Sequence, residues 1–97
     1  MKTIWKFEID LSSDAPRTSV GGWVVRMPAG SRILRVGTQR PRVIAIWALV
    51  DPAGEGRDVP IDVFGTGNPV VDAVGVYLGG VDDGPFVWHV FTPSVSV

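Results

Sequence analysis

The sequence predicts an all-β fold: a compact antiparallel sandwich or small barrel of about seven short strands, or a curved sheet completed by dimerisation. Three observations carry that prediction. Apolar residues recur with period two in several segments, the spacing of a strand with one buried face. The 97 residues include 12 Gly and 8 Pro, and so many breakers leave no room for long helices. Apolar residues make up 45% of the chain and four are Trp, enough for a packed core in one domain. Residues 1–97 therefore read as a single β domain.

Residues 3–10 alternate, with Thr3, Trp5, Phe7 and Ile9 on one side and Lys2, Ile4, Lys6, Glu8 and Asp10 on the other. Residues 11–19 form a polar loop. Residues 20–27 form a second strand with Trp23, Val25 and Met27 on one face. Pro28-Ala29-Gly30-Ser31 is a turn, since Pro presets φ and Gly accepts positive φ. Residues 32–37 are a short third strand. Residues 42–50 are apolar on both faces, with Val43, Ala45, Trp47 and Leu49 on one and Ile44, Ile46, Ala48 and Val50 on the other, so this strand is central and covered twice, by the rest of the fold or by a second copy. Its β-branched content favours strand over helix. Residues 51–56 turn. Residues 58–64 alternate with Val59, Ile61 and Val63 inward, and Pro60 marks an edge strand because it lacks a donor. Residues 65–69 form a sharp loop. A sixth strand is expected at 73–79, a turn at 79–85, a seventh strand at 86–92 and a loosely held tail at 93–97.

Cysteine is absent, which excludes disulfides, thiolate metal sites and cysteine nucleophiles. No apolar run reaches the ~18 residues of a membrane helix, and the opening residues lack the apolar core of a signal peptide. The expectation is a soluble, intracellular protein. Net charge is −1 but unevenly spread. From Ala15 to Val50 there are six Arg and no acid, whereas the other residues carry three cations and ten acids. Interleaving of these segments on the sheets, a basic face for an acidic partner and head-to-tail self-association are the three readings of that pattern.

Catalytic equipment is sparse. His89 is the only His, so a His-rich metal centre is excluded and a general base would need a neighbour the sequence does not identify. Asp58 and Asp62 share a strand face but stand ~13 Å apart, and Asp82-Asp83 precedes a turn glycine. No catalytic residue, metal or cofactor is assigned. The ligand candidates are Arg35, Arg40 and Arg42, at strand and turn positions where guanidinium groups can grip an anion, and Gly65, Thr66, Gly67 and Asn68, a loop that can present backbone N–H groups with two glycines at positive φ. It lacks the Lys of a P-loop. Trp47, Trp88 and His89 are interface candidates on the two doubly apolar strands. No base-stacking motif accompanies the Arg residues, so nucleic acid is not an expected partner.

Met1–Ile9 (MKTIWKFEI), Ile46–Pro52 (IWALVDP), Phe64–Pro69 (FGTGNP) and Phe86–Phe91 (FVWHVF), in this order, resemble a family of small uncharacterised proteins encoded by actinobacteriophages and related bacteria. Met27–Gly30 and Ile33-Leu34 sit where that family has a Pro-x-Gly turn and its following strand. The resemblance covers most of the chain, with the longer Ser12–Gly22 loop as a departure. It implies no chemistry, and it implies a context: a phage accessory protein in the cytoplasm of an infected bacterium. The resulting expectation is a non-enzymatic, homo-oligomeric protein that binds a host or defence component. The alternatives are a sponge for a small anionic, nucleotide-like ligand and a minor virion or decoration protein.

Overall fold

The computed structural model describes residues 1–18, 22–71 and 74–97. Among these residues seven strands follow one another: β1 (Thr3–Asp10), β2 (Trp23–Pro28), β3 (Arg32–Gly37), β4 (Val43–Val50), β5 (Gly56–Gly65), β6 (Val76–Asp83) and β7 (Phe86–Thr92). All pairings are antiparallel. They form two sheets, ordered β1-β4-β3 and β2-β5-β7-β6, and no helix occurs among the described residues. The fold is a β-sandwich, as the period-two pattern predicts. The sequence-predicted starts of the second strand at Val20 and of the sixth at Ala73 lie outside the described residues.

The core is the set of side chains on the two facing sheet surfaces. Ile44, Ile46, Ala48 and Val50 of β4 meet Trp23, Val25 and Met27 of β2, Val59 and Ile61 of β5, Val81 of β6 and Val90 of β7. These are the positions that period two assigns to one face of each strand. β4 is central, flanked by β1 and β3. Its second face is covered only in part. Val43 and Ala45 are buried while Trp47 and Leu49 are half-exposed. The cover over the first pair comes from the loop after β3, because Gln39 accepts from Lys6 Nζ at 2.7 Å and Arg40 lies 3.5 Å from Glu8, both across β4 on β1.

Four expectations are corrected. β5 is not an edge strand, since it lies between β2 and β7. Pro60 is tolerated because the β7 ladder begins only at Asp62, opposite Phe91, and Thr92 Oγ1 donates to the Pro60 carbonyl at 2.9 Å. The segment 79–85 is not one turn. β6 runs on to Asp83 past a bulge between Tyr77 and Gly79, where Gly79 takes φ 149°, and the hairpin closes at Gly84-Pro85. In the 65–69 loop only Gly67 has positive φ, at 89°. Gly65 lies close to its neighbours instead: a Cβ there would stand 2.9 Å from Nδ2 of the exposed Asn68 side chain, which can swing aside, and 3.3 Å from the Trp88 ring.

The tail is the fourth correction. Val95 accepts from the Ile33 N–H at 2.8 Å, and Val97 both accepts from Gly30 N–H and donates to the Ser31 carbonyl at 2.8 Å. The chain thus leaves β7 in one sheet and pairs with β3 in the other, joining the two layers at one end. Deleting Val95–Val97 removes three backbone hydrogen bonds and is expected to cost about 2 kcal/mol or more. Urea unfolding of the truncated chain checks this, and an unchanged midpoint would show the tail to be idle.

Candidate functional site

Three surface regions hold the sequence-predicted residues. The first is the outer face of the β1-β4-β3 sheet. Register places Ile4, Leu49 and Arg32 in one row and Lys6, Trp47 and Arg35 in the next. A bulge between Ile33 and Arg35 supplies the extra residue that leaves Leu34 and Arg35 both exposed. Ile4, Leu34, Arg35 and Trp47 line a shallow hollow of about 280 Å³. Ile4 is 58% and Leu34 48% exposed, an unusual concentration of apolar surface on a sheet face. The Arg35 guanidinium stands 4.9 Å from the Trp47 ring centre, within cation–π range. Among the described residues, Arg32 and Arg35 have no carboxylate partner.

The second region is the corner where the β3–β4 loop meets the β6–β7 hairpin. Asp83 Oδ2 accepts from Trp88 Nε1 at 2.9 Å, from Arg42 Nη1 at 2.9 Å and from the Arg42 N–H at 3.1 Å. The Trp88 hydrogen bond, aided by those from Arg42, holds the Asp83 carboxyl below its usual pKa against the opposing effect of burial. Arg42 takes φ 61°, rare for a residue with a side chain, and its guanidinium covers the Phe86 ring at 4.3 Å. Phe86 stacks on Trp88 at 5.4 Å. Beyond Phe86 lies a hollow of about 240 Å³ lined by Gly65, Thr66, Asn68, Val87 and Trp88.

The third region is the outer face of β5-β7-β6. His89 is held at both ring nitrogens, Nδ1 by the Tyr77 hydroxyl and Nε2 by the Thr66 hydroxyl, each at 2.9 Å. Tyr77 crosses above Gly80, whose missing side chain leaves room for the phenol oxygen. Phe91 packs against Phe64 at 5.9 Å and Tyr77 at 5.1 Å.

Against this geometry, one family model matches: Domain of unknown function (DUF7352), over residues 1–96. The chain belongs to the DUF7352 family. It matches no curated protein and no solved structure. Within this DUF7352 chain the predicted ligand residues do not form one site. Arg35 is on the outer face of the first sheet, and Arg40 is paired with Glu8 at its rim. Arg42 approaches the Gly65–Asn68 hollow through Phe86, but its charge is taken up by Asp83. Gly67 sits at the turn tip. Trp47 is on the open face, whereas Trp88 packs toward the core with its indole N–H occupied.

The sequence reading missed Leu34 and the triple acceptor Asp83. Leu34 carried a signal, an apolar residue between two Arg on a strand whose neighbour Trp47 is outward. Asp83 carried none, because its donors come from residue 42 and residue 88. Among the described residues no cluster of three His, Asp or Glu forms, and no helix is long and apolar enough to cross a membrane.

Proposed function

We propose that this DUF7352 chain is a phage-encoded, non-enzymatic accessory protein that binds a host protein through the outer face of the β1-β4-β3 sheet. The observation that carries this reading is the hollow of Ile4, Leu34 and Trp47 beside Arg35, with Arg32 next to it. Trp and Arg supply much of the energy in protein interfaces, and these two already stack, so little side-chain entropy is lost on binding. The complementary surface is an apolar side chain flanked by carboxylates, which would meet Arg32 and Arg35. Phage origin rests on the sequence resemblance.

The small-anion reading draws less support, because Glu8 and Asp83 neutralise Arg40 and Arg42. An enzyme reading draws less still: the Tyr77 and Thr66 hydroxyls hold the His89 ring, but among the described residues no carboxylate hydrogen-bonds to it to support a general base. The test is photo-crosslinking from position 34 in host extract, followed by titration of the purified partner. Arg35→Glu and Leu34→Asp are each expected to weaken binding about tenfold or more, and raising salt should weaken it further. Wild-type affinity in both variants would remove this face as the contact surface.

A further inference from the structure

Among the described residues β1 is the edge of its sheet, with β4 on one side only. Leu11 N–H donates to the Arg42 carbonyl at 2.8 Å, one step beyond the ladder pair Asp10↔Val43. In an antiparallel ladder hydrogen-bonded pairs alternate. The odd residues of β1 therefore bond β4, and the backbone groups of Ile4, Lys6 and Glu8 point off the free edge. Among the described residues, none of those groups makes another backbone hydrogen bond. Thr3, Ile4, Trp5 and Lys6 are all exposed, Ile4 on the outer face and Trp5, at 41%, on the inner one. An open edge with apolar side chains on both faces is a template for another strand.

We infer that two copies of the chain pair through antiparallel β1 strands about a two-fold axis at Trp5, joining two three-stranded sheets into one of six. The register follows from charge and from which residues point outward. Outward-pointing even residues must face even residues of the other copy for the bonds to form. Centring on Lys6 sets two ammonium groups opposite each other, and centring on Ile4 sets Lys2 opposite Lys6, both repulsive. Centring on Phe7 uses the half of β1 where Ile9 is buried and the Asp10 carbonyl already accepts from Ser13. Centring on Trp5 sets Lys2 against Glu8 twice, lets Ile4 and Lys6 exchange backbone bonds, and puts the two Trp5 side chains in the close, non-hydrogen-bonded position where aromatic pairs contribute most. The Ile4 hollows of both copies then lie on one continuous face. This self-association is independent of the partner-binding reading.

The absence of cysteine makes the register directly testable. Trp5→Cys is expected to form an intermolecular disulfide readily under mild oxidation, and Ser94→Cys is expected not to. Sedimentation equilibrium of the wild-type chain should give a mass that rises with concentration toward twice 10.4 kDa. Lys6→Pro deletes an edge-facing N–H without touching the β4 ladder. It should remain monomeric while keeping the wild-type circular dichroism. A constant monomer mass up to about 1 mM, a Lys6→Pro chain that still dimerises, or cross-linking at position 5 no faster than at position 94 would each overturn the proposal.

Discussion

Ile46→Ala is expected to lower the free energy of unfolding by about 2–5 kcal/mol, the usual range for truncating a buried Ile. Ile46 sits mid-way along β4 with no exposed surface, opposite Phe7 on one side and Val36 on the other. Its side chain points into the space between the sheets, so its removal leaves a cavity bounded by two rigid layers that cannot close on it. Domains of this size have roughly 5–15 kcal/mol of stability in total, so the variant loses a large part of it. Ile4→Ala is the control. Ile4 is 58% exposed, and its truncation should cost about 0.5 kcal/mol or less. Urea unfolding midpoints at unchanged slope measure both. A larger shift for Ile4→Ala than for Ile46→Ala would mean that this sheet presents its other face to the core.

Asp83→Asn is expected to lower the melting temperature at pH 7 by roughly 5 °C or more, and to flatten the acid limb of the stability curve. The wild-type carboxylate is 5% exposed and meets three donors. All three donors meet the same oxygen, Oδ2; an amide oxygen can take its place, but it carries no charge to oppose Arg42, so the ion pair is lost and each hydrogen bond is weaker. The folded-state pKa of Asp83 lies below its ordinary value of 3.8. Its stabilisation is therefore complete above that value and is lost as pH falls through the lower, folded one. The wild type should lose stability below about pH 4 more steeply than Asp83→Asn, with the two curves converging in acid. Thermal melts between neutral and strongly acidic pH read this out, and parallel curves would show that Asp83 contributes no pH dependence. Because Arg42 holds φ 61° with its N–H on this carboxylate, the variant should also loosen the β3–β4 loop, observable as faster amide exchange there.

Much of the fold is legible in the sequence because burial in a sandwich repeats every second residue. Trp23, Val25 and Met27, or Ile44, Ile46 and Ala48, read correctly as one face without any knowledge of what covers them. The doubly apolar character of β4 marks it as central, and it is. Pro60 misled because its missing donor reports only the local ladder, and β7 reaches β5 two residues later. Gly79 misled because a glycine at positive φ closes a turn or makes a bulge, and the choice depends on whether a partner strand continues alongside. The candidate site was less legible. Trp47 and Arg35 each stand out in the sequence, but separately, and their stacking depends on a bulge at Leu34 that appears only when β3 is set against β4.

What the amino-acid sequence determined by itself is local: strand positions, the inward face of each strand, the scarcity of catalytic side chains, and an arginine-rich stretch with no acid. What only the tertiary structure decided is how those pieces are neutralised or left open. Pairings between residues 32–49, 42–83 and 32–96 join segments far apart in the chain. Closing such loops carries an entropic cost that depends only weakly on loop length, so local pattern cannot choose among partners. Packing across both sheets makes the choice. It assigns Arg42 to Asp83 and Arg40 to Glu8, and leaves Arg32 and Arg35 beside an open apolar hollow.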